Sequence, residues 1–265
     1  MGGSSSSSLR ARGGSKGLAG AFWLARKEMR RGWVSYPLSG VIMLFLGFMV
    51  LPSMSGLFKL EGFGAGVQRV EDVYNAFFSD CLYLVICAFL AVNAVSGIRT
   101  PGRRDTFSAR LLLLGGVPVP AGSLVGGRAL SLLFALVLNV PAFFLPTFLL
   151  SDLGELGTSY VWFVGTWIGY GLLFSGLGLL MGLSASDGAS VPISIGVGAA
   201  IVATLALLEW SVGLDLVVRT AQLAQGYGPL PALLSILVGA AAFVLLAWLS
   251  VHRIHDRDFV RELSA

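Results

Sequence analysis

The stretch with the most chemistry available to it is Ile98–Leu130, a polar interruption between two very apolar segments. It carries Arg99, Arg103, Arg104, Arg110 and Arg128 against one acid, Asp105. Around Phe107–Gly116 it has the pattern of a short amphipathic helix, far below the roughly 20 residues that cross a bilayer. A simple connector has no need of these residues. Their chemistry is that of a basic, structured, adhesive surface on one side of a membrane.

Covalent and metal chemistry have little to work with. There is no G-x-x-x-x-G-K-[ST], so the chain does not cradle nucleotide phosphates in a P-loop of its own, and no H-E-x-x-H. The Ser175-Gly176 pair lacks the earlier glycine of a G-x-S-x-G elbow. Cys81 and Cys87 stand six apart on one helical segment, in no metal or redox spacing, and read as small packing residues. His252 and His255, three apart, offer a metal pair or, more in keeping with a helix end, cations interacting with the terminus or with headgroups. No metal site is assigned. No Asp or Glu falls mid-span, which argues against a proton- or cation-coupled pump.

These residues sit in a chain that is 55% hydrophobic and 12% charged, with a mean hydropathy of +0.82. A water-soluble chain carries about twice that charge fraction. Six windows are long and apolar enough to span: Ser35–Leu57, Ser79–Gly97, Leu130–Leu150, Tyr160–Ser184, Ala189–Trp210 and Leu230–Val251. None shows the alternation of a barrel strand. The expected fold is an all-α membrane protein with six transmembrane helices. Fifteen of the Lys and Arg residues fall in the N-terminal segment, the loop after the second span and the C-terminal tail. Three, Lys59, Arg69 and Arg219, fall on the opposite side. By the positive-inside bias both termini are cytoplasmic, in the plasma membrane. The net charge of +4 is then a topology signal, with no implication of nucleic acid.

Residues 1–20 are Gly/Ser-rich, lack the apolar core of a signal peptide and read as a disordered cytoplasmic tail. The transmembrane body is expected over 21–252, followed by a cytoplasmic tail over 253–265. Its first element, over 21–34, reads as an in-plane elbow helix. Phe22, Trp23, Ala25, Met29 and Trp33 are expected on one side, with Arg26, Lys27, Arg30 and Arg31 around the other. Tyr36-Pro37 is expected to break it before the first span. Pro141 and Pro146 predict a kinked third span held within a bundle. Gly165-x-x-x-Gly169 and Gly178-x-x-x-Gly182 allow close helix approach, within one chain or between two copies. Leu214–Ala224 reads as an external amphipathic segment. Glu209 is expected at the outer interface.

From Ala21 to Val251 this arrangement resembles the membrane subunit of ABC-2 type transporters, the type V exporter fold. The likeness rests on the A-R-K-E-M-R-R segment Ala25–Arg31 before six spans. It also rests on the loop after the second span: Arg103-Arg104-Asp105-Thr106, the leucine run Leu111–Leu114, Val117-Pro118-Val119 and Gly127-Arg128. Asp105 stands where that family usually has glycine, and arginines stand where a glutamate is common.

The resemblance implies a permease, not an enzyme, that pairs with a second copy or a paralogue. Two separate P-loop ATPase subunits would bind ATP and Mg, leaving no cofactor in this chain. The loop over 98–128 would hold the coupling helix, with Phe107, Leu111 and Leu114 as apolar anchor and Arg103, Arg104, Asp105 and Arg110 as its charged docking residues. The other reading of the same residues has the leucines under the bundle and the arginines on lipid phosphate. Trp23, Arg26, Lys27, Arg30 and Arg31 would hold the elbow at the lipid bilayer interface. Asn93, Asn139, Trp162, Thr166, Trp167 and Tyr170 are candidates for a substrate path between subunits. A polytopic scaffold subunit with no transport role is the competing reading.

Overall fold

The computed structural model describes residues 19–27, 29–30, 33–54, 80–81, 83–84, 86, 121–184, 200, 203–204, 207 and 215–255. Among the described residues the regular structure is helical throughout, with no strand. Helix α1 covers 19–30 apart from Glu28, and α2 runs Ser35–Met54. Then come α3 (Ala121–Leu150), a 3-10 turn (Asp152–Leu156) and α4 (Ser159–Ser184). The short α5 (Leu216–Tyr227) and the long α6 (Pro229–His255) follow. Helices α3, α4 and α6 are each long and apolar enough to cross a membrane. In hydrocarbon an apolar run has to satisfy its peptide groups internally, which is why such segments wind into helices.

Two parallel pairs organise the bundle. Tyr36 of α2 meets Phe134 of α3 edge-on, with ring centroids 5.4 Å apart. Asn139 Nδ2 donates to Ser39 Oγ at 3.0 Å. Further on, Gly47 lies so close to α3 that a Cβ there would stand 2.7 Å from the Phe143 carbonyl oxygen. Numbers rise together, so α2 and α3 start at the same end.

The α4–α6 pair shows the same progression in tighter form. Gly165 faces Ala232, Gly169 faces Ser235 and Gly239, and Gly176 faces Phe243. Ser235 Oγ donates to the Thr166 carbonyl at 2.7 Å across this seam. The first glycine pair therefore serves packing within the chain. Because α4 and α6 are parallel neighbours, the end of α4 at Ser184 and the start of α6 at Pro229 lie at opposite ends of the pair.

Aromatic rings fill the space between the pairs. Tyr83, Phe143, Phe163 and Trp167 are fully buried and touch one another at tilted or edge-on angles. At the far end of α3 the hydroxyls of Thr147 and Tyr160 lie 2.6 Å apart. Each also reaches the Phe144 carbonyl, at 2.8 and 2.7 Å. This knot ties the end of α3 to the start of α4.

Several boundaries differ from the sequence expectation. The break after α1 comes at Trp33-Val34, and Pro37 sits inside the first turn of α2. A proline is tolerated there because its missing N–H has no intrahelical partner in any case. Helix α3 begins at Ala121, nine residues before the expected Leu130, so the last part of the 98–128 loop is helical. Its glycines suggest loop by composition, but contact with α1 selects the helix. Helix α6 runs on to His255, four residues past the expected end of the sixth span at Val251. Pro141 and Pro146 lie inside α3, which continues through both.

Candidate functional site

The junction of α1 with α3 is built from small residues on both sides. Ala21 and Ala25 are buried. A Cβ on Gly126 would lie 3.0 Å from the Ala21 Cβ, and one on Gly127 would lie 2.9 Å from the Leu24 Cβ. Gly20 is equally close to Ser123. This close approach of α1 needs bare backbone at those positions in α3.

Winding α1 at about 100° per residue puts Leu24, Ala21, Ala25 and Met29 on one arc. Phe22, Arg26, Arg30, Trp23 and Lys27 then fall on the opposite arc, spanning about 140°. Exposure agrees: all five of the second group are exposed, Phe22 and Trp23 by 67% and 60%. The expected division, with the aromatics, Ala25 and Met29 on one side and the cations on the other, is corrected. The alanines face the protein, and the aromatics share the outer face with the cations. Lys27 Nζ stands 4.8 Å above the Trp23 ring, a cation–π contact that fixes their relative placement. Trp33 is exposed too, beyond the helix end. Arg31 lies outside the described residues.

The opposite end of the bundle is capped by α5. Its buried positions, Val217, Thr220, Ala221 and Ala224, follow helical spacing and turn towards the core. Two carboxylates hold its N-terminus. Asp215 is the N-cap and accepts from the Val218 N–H at 2.9 Å. Asp80 accepts from Leu216 N–H at 2.5 Å and Val217 N–H at 2.9 Å. Burial pushes the Asp215 carboxyl above its ordinary range, opposed by the amides of Val218 and Val217 and by Arg219. The sequence offered the amphipathic spacing of α5 but no sign of Asp80's part in it. Asp80 and Leu216 are 136 residues apart in the chain.

The proposed path residues fall into separate contacts. Asn139 is buried at the α2–α3 interface with Ser39. Thr166 is buried, donates to the Trp162 carbonyl at 3.1 Å and offers its own carbonyl to Ser235. Trp162 is exposed on the outside of α4. Trp167 is buried in the aromatic core, with the Tyr170 ring 5.5 Å away. Within α4, Trp167 and Tyr170 share a ring contact and Thr166 bonds to the Trp162 carbonyl. Asn93 and the docking residues Arg103, Arg104, Asp105, Phe107, Arg110, Leu111 and Leu114 lie outside the described residues.

The His252 ring packs at a tilt against Trp248, with ring centroids 4.2 Å apart and Nδ1 3.1 Å from the Trp248 carbonyl. Among the described residues no group of three or more His, Cys, Asp or Glu is placed to hold a metal ion.

No protein-family model, curated protein or solved structure matches this chain.

Proposed function

We propose that the chain is the membrane-embedded permease subunit of an ATP-binding cassette exporter. It crosses the plasma membrane six times with both termini inside. It pairs with a second copy or a paralogue and is driven by two separate ATPase subunits that dock on the loop over 98–128. The resemblance in sequence motivates this reading, and one structural observation carries it furthest. Helix α1 is locked against the first turns of α3, the helix that emerges from the basic loop. A push on that loop reaches a rigid helix–helix joint with no slack, as a docking loop requires if it is to tilt spans.

The helix directions are in keeping with the proposal. Helices α2 and α3 start at the α1 end, while α4 and α6 start at the α5 end. A path of six alternating crossings produces that arrangement, with the fifth crossing between α4 and α6.

Purification in mild detergent tests the idea. A P-loop ATPase is expected to co-elute in stoichiometric amount and to be lost when Phe107→Asp and Leu111→Asp are combined. If no ATPase co-elutes and the double variant behaves as wild type, the chain is not a permease of this kind.

A further inference from the structure

The outer face of α1 differs from the usual helix of the headgroup plane, which separates a polar face from an apolar one. Here three cations and two aromatics are interleaved on one arc, and the protein takes the other. Every one of the five is exposed. The segment's single acid, Glu28, lies outside the described residues. Guanidinium groups fork onto phosphate oxygens, ammonium groups meet them as point charges, and indole and phenyl rings settle at the glycerol level beside them. Interleaving sets rings and cations on one face over about 12 Å of helix, enough for more than one headgroup.

From this geometry we infer that the Phe22–Arg30 face of α1 is a docking surface for anionic lipid headgroups of the adjacent leaflet. Charge complementarity selects this occupant over zwitterionic lipid, since Arg26, Lys27 and Arg30 have no acid beside them among the described residues. The site also has a route inward. Gly126 and Gly127 leave no room between α1 and α3, so a headgroup that steadies α1 steadies the first turns of α3 as well. The inference needs only that the chain lies in a membrane. It stands whether or not an ATPase docks on the loop.

The test uses the full chain in nanodiscs of phosphatidylcholine, with and without phosphatidylglycerol. Hydrogen exchange is read over 19–30 and 121–128. Phosphatidylglycerol is expected to slow exchange in both segments, and native mass spectrometry to show it retained in preference to phosphatidylcholine. Each cation removed should reduce that preference by about fivefold, and Arg26→Gln, Lys27→Gln and Arg30→Gln together by about a hundredfold. All three side chains are exposed, so the triple variant is expected to fold, which its melting temperature in phosphatidylcholine checks. Equal retention of the two lipids would overturn the inference. So would an undiminished preference in the folded triple variant, or full protection by inorganic phosphate alone. Loss of ATPase co-purification in the triple variant with lipid preference intact would also overturn it, assigning the face to a protein instead.

Discussion

Asp80 joins two parts of the chain that are far apart in sequence, and its replacement has a calculable cost. Asp80→Ala leaves the Leu216 and Val217 amides without their acceptor at a buried position. The expected loss is about 2–6 kcal/mol, from roughly 1–3 kcal/mol per unsatisfied group. Asp80→Asn keeps one acceptor oxygen and should lose about half as much. Denaturant or thermal unfolding in detergent reads both, and equal stability of all three proteins would contradict the cap. Asp215 adds a dependence on pH. Its folded-state affinity for a proton is raised above the ordinary value of 3.8. Between 3.8 and that raised value the folded chain holds a proton that the unfolded chain has released. Its contribution is therefore fully present below 3.8 and lost as pH climbs through the folded value. The melting temperature is expected to rise as pH falls through that raised value towards 3.8. Asp215→Asn, which keeps an acceptor for Val218, should flatten that slope.

At the scale of elements, the glycine seam between α4 and α6 separates two kinds of glycine. A Cβ at Gly169 would run into the Ser235 backbone, so Gly169→Ala is expected to destabilise by about 1–3 kcal/mol through overpacking. Gly226 in α5 has open space around it, and Gly226→Ala should be neutral or stabilising by up to about 1 kcal/mol. A paired unfolding series distinguishes them, and equal shifts would deny the seam. The long helices were legible in the sequence because an apolar run of that length has few other folds available. The start of α3 was not, since Gly122, Gly126 and Gly127 look like loop until α1 is seen to need Gly126 and Gly127 bare. Nor was the inner face of α1. Alanine suits lipid or protein equally, and only contact with α3 decides which. The Gly165–Gly169 spacing announced a close approach but not its partner, because one strand of sequence carries no information on which helix lies opposite.

For the whole molecule, the two ends of the bundle differ in chemistry, and the proposed topology makes them differ in compartment. Accessibility labelling of single cysteines introduced at exposed positions checks this. Positions in 98–128 and 256–265 are expected to label from the cytoplasmic side, and Glu155 and Tyr227 from the outside. Labelling of both sets from one side would reject six crossings. The molecule also holds α6 unevenly. Leu233, Leu237, Val244 and Trp248 are exposed along its length, while Ala232, Ser235, Gly239 and Phe243 form the strip that meets α4.

That strip has a consequence for how the protein is made. Helix α4 is synthesised well before its partner, with Gly165 and Ala232 separated by 67 positions in the chain. At about 5–20 residues per second, α4 waits about 3–13 s with its glycine groove empty. During that interval the groove presents bare backbone to whatever lies beside it, so a nascent chain stopped before α6 is a natural substrate for membrane quality control.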